Sequence, residues 1–187
     1  MLRLDAEHVL RPIRAGDGAA LARAYRANRE HLAPWEPVRS EAFFTEEWQE
    51  QNAQQCVAEA ALGRSSRFVI LSDDGEIRGR INLNTIVRGA FWSADLGYWI
   101  DSTRLRRGLA GRAVALIAEH ARDELRLHRL QASTLLHNVA SQRVLTGNGF
   151  ERIGIAPKYL RIAGEWQDHV LFQLLLEEPL SARRERP

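Results

Sequence analysis

The chain has 187 residues, 45% hydrophobic and 27% charged, which suits one soluble domain of ordinary size with a real core. Its formal net charge of +2, despite a pI of about 9.1, is too small to argue for nucleic acid, whose binders concentrate Lys and Arg on one face. No apolar run approaches the ~18 residues of a membrane span, and the opening "MLRLDAEHVLRPIR" lacks the apolar stretch of a signal peptide, so a cytoplasmic protein is expected.

Taken in chain order, residues 8–14 ("HVLRPIR") alternate well enough for a first strand. Turn residues 16–18 lead into a helix expected over 19–31, and "HLAPWEPV" breaks it with two prolines around Trp35. A second helix is expected from the N-cap Thr45, followed by Glu46 and Glu47, to about residue 62. It carries Cys56, the only cysteine, which excludes an intrachain disulfide; the six histidines are scattered without ligand spacing, so no metal is expected.

"RFVILSDDGEIRGRINLNTI" reads as a hairpin turned at Asp73-Asp74-Gly75, with apolar Phe68 to Leu71 before the turn and Ile77, Ile81 and Leu83 after it. "ADLGYWI" follows as a fourth strand. The helix after it places Leu109, Ala113, Leu116, Ile117 and Ala121 on one face. "RLQASTLL" reads as a strand and "NVASQRVLTGNG" as a short helix with a glycine stop. "FERIGIAPKYLRI" and "EWQDHVLFQLLL" form a last hairpin turned at Ala163-Gly164. The order β-α-α-β-β-β-α-β-α-β-β defines a mixed α+β class. One domain is expected over 1–178, with a polar tail over 179–187 that includes "SARRERP".

The segment "LRRGLAGRA" puts glycine and arginine where a strand gives way to a helix. The first turn of a helix has backbone N–H groups without intrahelical partners and a positive dipole end. Small residues there let an anion approach closely, and arginines add charge-assisted hydrogen bonds, which together suit a phosphate. A tight turn with a solvated basic face would use the same residues, so the segment alone leaves both readings open.

That segment resembles the acyl-CoA-binding motif of the GNAT acetyltransferase superfamily, Gln/Arg-x-x-Gly-x-Gly/Ala, as Leu105-Arg106-Arg107-Gly108-Leu109-Ala110. "LGYWI" is similar to the family's splayed fourth strand, and "HNVASQRVLTGNGFERIG" resembles its Asn-x-x-Ser…Gly-Phe segment. "NREHLAPWEP" and "GEWQDHVLF" are similar to the ends of the Rim-type branch, the ribosomal-protein N-terminal acetyltransferases. The resemblance covers residues 8 to 177. It implies a GNAT fold: a mixed, mostly antiparallel central sheet with a splayed fourth strand, flanked by helices. It also implies acetyl-CoA as cosubstrate, without a metal. Leu105 departs from the usual Gln/Arg, so Arg104, Arg106 or Arg107 would supply the missing side-chain contact to the diphosphate.

By the same resemblance, Tyr98, Trp99 and Ile100 grip pantetheine through their backbone, and residues Leu105 to Gly111 hold the diphosphate. Asn138 matches the family asparagine that bonds the pantetheine arm, and it also reads as a helix N-cap. Many relatives protonate the thiolate with a tyrosine seven residues after that asparagine, but Leu145 stands there. The Rim-type branch assigns the role to the serine, here Ser141, which would otherwise simply bond backbone in a first helical turn. Some Rim-type members place a glutamate base just before the Tyr-Leu of the last hairpin, where this chain has Lys158. Asp95, on the fourth strand, is the preferred substitute, with Glu36 behind it. Asp168 is expected to fix the hairpin.

The resemblance implies a primary amine as the acceptor. An α-amine with pKa near 7.8 is roughly one part in seven neutral at pH 7, whereas a lysine amine near 10.4 is about one in 2,500. A chain without a dedicated glutamate therefore suits a protein N-terminus, with Trp35 lining the acceptor site and Phe43, Phe44 and Trp48 read as core. Two other readings remain open: acetylation of a small amine (antibiotic, polyamine or amino acid), and a non-catalytic acyl-CoA-binding module. Neither a nucleic acid nor a membrane is expected as partner, and a homodimer is left open.

Overall fold

The computed structural model describes residues 1–176. The expected tail over 179–187 lies outside the described residues. Eight strands form one sheet in the order β1-β2-β3-β4-β5-β6-β8-β7. They are β1 (Leu2–Arg3), β2 (His8–Pro12), β3 (Ser66–Ser72), β4 (Ile77–Val87), β5 (Ser93–Ile100), β6 (Arg129–Leu135), β7 (Glu151–Ile162) and β8 (Glu165–Leu175). The α-helices are α1 (Gly18–Ala27), α2 (Arg29–Leu32), α3 (Glu46–Ala61), α4 (Leu109–Asp123) and α5 (Val139–Gly147). Among the described residues only β5 and β6 pair in parallel, joined by the α4 crossover; the other neighbours are antiparallel. This is the expected α+β class.

Helices cover both faces. On one, α4 and α5 bury Leu109, Ala113, Val114, Ile117 and Leu145 against Ile70, Ile81, Leu96 and Phe172. On the other, Leu21, Tyr25, Phe43, Ala53 and Cys56, from α1, α3 and the segment between α2 and α3, pack on Val69, Ile77 and Trp99. Strands of alternating side chains thus feed two cores at once. Leu116, expected on the buried face of α4, is only partly buried, and Val114 takes its place in the core.

Local signals hold where they are strong. Thr45 caps α3, its hydroxyl accepting from the Trp48 N–H at 3.2 Å. The helix expected over 19–31 is instead split at Asn28, whose amide donates to the Ala24 carbonyl at 3.0 Å and to Asp101 at 3.2 Å. The Asn28 side-chain oxygen accepts from the Ser102 N–H at 2.8 Å. A bond across 73 residues thus ends α1 and ties it to the end of β5. The short β1, paired as Leu2↔Leu10 and Arg3↔Val9, was not expected. The strand read as the fourth is therefore β5.

Candidate active site

The pairing of β5 and β6 stops early. Ser93, Ala94 and Asp95 face Arg129, Leu130 and Gln131, and beyond Asp95 each strand keeps only its outer neighbour. The strands splay, and a cavity of about 560 Å³ opens between them. Backbone left unpaired along such a gap is a ready edge for an extended ligand arm. Asp95, Tyr98, Trp99, Asn138, Ser141 and Trp35 all line this cavity.

The gap joins the two faces of the sheet. Asp95, Gly97 and Trp99 point toward α1 and α3, whereas Leu96, Tyr98 and Ile100 point toward α4 and α5. Asp95 stands at the vertex of the splay. Beside it on β4 is Thr85, which a bulge between Asn84 and Val87 holds at φ 49, a rare backbone state for a β-branched residue. Asp95 is exposed to the cavity, yet partial desolvation by the surrounding sheet raises its pKa above the ordinary carboxyl value, and the neighbouring Thr85 hydroxyl opposes that rise.

On the other face, the Tyr98 hydroxyl lies 2.8 Å from Ser141 Oγ, and 3.3 Å from the Ser141 carbonyl oxygen. Burial pushes the Tyr98 pKa up to about 12, so this phenol stays protonated at working pH and is a donor. Asn138 caps α5, its side-chain oxygen accepting the Ser141 N–H at 3.1 Å. The cap consumes that oxygen and leaves the amide NH₂ for another partner. Leu145, in place of the family tyrosine, is fully buried.

The basic loop forms the mouth of α4, at the far end of β5. Gly108 is its N-cap residue, at φ 73, and Arg106 is also left-handed at φ 60. The backbone N–H groups of Arg106 to Gly111 make no backbone hydrogen bond among the described residues. They form a cradle for an anion at a positive helix end. A Cβ on Gly108 would stand 3.0 Å from Arg112 Nη1 and would hold a conformation that L-residues avoid. Arg112 is bound by Asp5 at 2.7 Å, and Arg104 by Glu7 at 4.0 Å. Arg106 and Arg107, beside Leu105, form no ion pair among the described residues. Trp99 and Ile100 are buried in opposite cores, so each offers a ligand only its backbone.

A family profile described as an acetyltransferase (GNAT) domain matches residues 8–151. The chain belongs to the GNAT family. It is 34% identical to the [Ribosomal protein uS5]-alanine N-acetyltransferase of Escherichia coli, over 89% of this chain and 86% of that protein. It superposes on the ribosomal-protein-S5-alanine acetyltransferase of Vibrio fischeri with a TM-score of 0.90 at 34% identity, covering 94% and 97% of the two chains. Mycobacterium smegmatis RimJ, solved in complex with CoA-disulfide, gives 0.85 at 32% identity over 96% and 84%.

In this GNAT chain, Trp35 lies at the cavity mouth with its ring 5.4 Å from that of His137. Of the aromatics read as core, Phe43 is buried against Tyr25 with Phe44 packed beside it, and both Phe43 and Trp48 also line the cavity. Glu36 lines it too, beside Arg39 at 3.4 Å, and its carbonyl accepts the Ala163 N–H at 3.0 Å, which ties the last hairpin's turn over the acceptor side. Lys158 is exposed and outside the cavity lining; its N–H donates to Asp168 at 2.8 Å, so Asp168 fixes the hairpin. Sequence reasoning placed Tyr98 as backbone only. Its alternation on β5 could have shown a hydroxyl aimed away from Asp95, but its partner on α5 lies 43 residues on.

Proposed function

We propose that this GNAT chain, as one catalytic domain over 1–178, transfers the acetyl group of acetyl-CoA to the α-amine of a protein N-terminus, with a ribosomal-protein alanine as one precedent among its relatives. The observation that carries this reading is the splayed β5–β6 gap, with a carboxyl on one side and a hydroxyl pair on the other. The 34% identity to the uS5-alanine enzyme supports the choice of acceptor over a small amine. A site of action in the cytoplasm fits that precedent, and no described helix is long and apolar enough to cross a membrane.

The diphosphate would rest on the N–H groups of Arg106 to Gly111, with Arg106 and Arg107 beside it. The pantetheine arm would run along β5 from Ile100 toward Gly97, bonded by backbone of Tyr98 to Ile100 and by the Asn138 amide. The acceptor would enter past Trp35 on the α1–α3 side. Its nitrogen attacks the thioester carbonyl, a C–N bond forms and the C–S bond breaks. The nitrogen loses its proton toward the Asp95 carboxylate, whose raised pKa suits a base. The thiolate gains a proton from Ser141 Oγ. Tyr98, donating to that oxygen, turns the serine hydrogen toward the gap and replenishes the proton.

Thiol release with acetyl-CoA, measured against N-terminal peptides and a panel of small amines, tests the reading. Acetylation of the peptide α-amine, located by mass spectrometry, is expected. Efficient turnover of a lysine side chain or an aminoglycoside, with peptides untouched, would overturn it.

A further inference from the structure

The acceptor side of the cavity has a polar floor that the chemistry above does not use. On β4, Arg80, Asn82 and Asn84 point to the same face as their β5 partners Trp99, Gly97 and Asp95. Arg80 is only 6% exposed. The half-buried or buried arginines nearby are paired: Arg11 with Asp17 at 2.7 Å and Arg67 with Glu59 at 2.8 Å. Arg80 has no carboxylate partner among the described residues. Its one side-chain hydrogen bond runs from Nη1 to the Tyr25 hydroxyl at 3.0 Å, an oxygen already accepting from Trp99 at 3.2 Å. Arg80 Nε is buried without a partner, and so is Asn82 Oδ1. Both residues line the cavity.

A buried cation and a buried amide oxygen left unpaired are strongly unfavourable unless a ligand completes them. What is missing is one acceptor for Arg80 and one donor for Asn82. A peptide group supplies that pair. A polyamine supplies a donor but, when protonated, no acceptor, and it brings a charge that Arg80 repels. A free carboxylate supplies two acceptors and leaves Asn82 Oδ1 facing an oxygen.

We propose that Arg80 and Asn82 hold the first peptide group of the acceptor, Arg80 binding the carbonyl oxygen next to the attacking amine and Asn82 the following N–H. This rests on the N-terminal reading and gives it a physical basis. An α-amine is fixed two bonds from that carbonyl carbon, whereas a lysine side-chain amine is separated from its own carbonyl by a flexible four-carbon stem. Anchoring the carbonyl therefore selects α-amines and sets the nitrogen beside Gly97, at the gap. The residue is a specificity determinant, and Asp95 remains free for the proton.

The test compares an Ala-initiated peptide with the same peptide carrying a trans-alkene in place of its first peptide bond, both with acetyl-CoA and thiol release as readout. Hydrogen bonds to charged groups correspond to roughly 10- to 150-fold. The wild-type enzyme is expected to lose at least that much kcat/KM on the alkene. Arg80→Gln is expected to lose as much on the peptide, to discriminate less than about threefold between the two, and to bind acetyl-CoA as before by calorimetry. Equal wild-type use of both acceptors overturns the assignment while leaving the N-terminal reading intact. So does an Arg80→Gln variant that falls equally on both. Faster turnover of free alanine than of the peptide would make the anchored oxygen a carboxylate, and overturns it too. No turnover of any peptide removes the underlying reading along with it. The wild-type comparison stands even if every Arg80 variant misfolds.

Discussion

The hydroxyl pair on the α4–α5 side of the gap makes a quantitative claim about proton delivery. If Ser141 protonates the departing thiolate and Tyr98 acts through Ser141, the two belong to one chain and their deletions do not multiply. At 2.8 Å the contact is a full hydrogen bond, and with the Tyr98 pKa near 12 the phenol holds its proton at every working pH. Removing Ser141 Oγ deletes a bond to a developing anion, worth about 1.5–3 kcal/mol, or roughly 10- to 150-fold in kcat. Tyr98→Phe leaves the serine in place but undirected. A neutral bond worth about 0.5–1.5 kcal/mol predicts a smaller loss, of the order of 2- to 10-fold.

The double variant is then expected to match Ser141→Ala alone. Saturating acetyl-CoA and peptide, with thiol release read continuously, gives kcat for all four proteins; calorimetry gives acetyl-CoA affinity. Independent, multiplicative losses would refute the chain. An unchanged kcat in Ser141→Ala, with weakened acetyl-CoA binding, would reduce the serine to a cofactor contact.

Three further outcomes follow from other parts of the site. Gly108→Asp should weaken acetyl-CoA binding well over tenfold, and more than Gly108→Ala, because it adds a like charge to the strain of φ 73; equal affinity by calorimetry contradicts the cradle. Asp95→Asn should lower kcat/KM by about 10² if the carboxylate is the base. Because the folded Asp95 pKa is raised, ionisation penalises the fold, so wild-type stability falls as pH rises from the ordinary Asp value through the folded one; the variant's Tm should lack that decline. In the wild type, kcat/KM should rise through about pH 7.8 and then flatten as the acceptor α-amine loses its proton, and a profile still climbing at pH 10 would indicate a lysine acceptor.

How much of this was legible in the sequence depends on the range of the interactions. The Thr45 cap, the Asp73-Asp74-Gly75 turn and the mouth of α4 are written in a few consecutive residues, and each stands where those residues put it. The break at Asn28 is not local. Residues 19–31 carry an unbroken helical pattern, and only the Asp101 and Ser102 contacts, on a distant strand end, make the split favourable. The short β1 failed for the opposite reason, since two residues carry no period at all. The Tyr98–Ser141 contact needed both the face of β5 and the docking of α5.

Arg80 shows the deepest limit, because its signal was present and pointed the wrong way. In "IRGRINLN" the polar residues alternate with Ile77, Ile81 and Leu83, which by itself describes a strand with one wet face. Here α1 and α3 cover that face, so the polar row forms a cavity floor. A covered polar face stores unmet hydrogen-bonding capacity, and Arg80 Nε with Asn82 Oδ1 is where it remains. In the proposed reaction the sheet divides the work: its α4–α5 face offers hydroxyls to a departing sulfur, and its α1–α3 face offers the arriving acceptor a carboxyl and a cation with no carboxylate partner among the described residues. The splay is what lets the two faces act on one carbonyl. A continuous β5–β6 ladder would satisfy more backbone, but it would keep the halves of the chemistry on opposite sides of a closed wall.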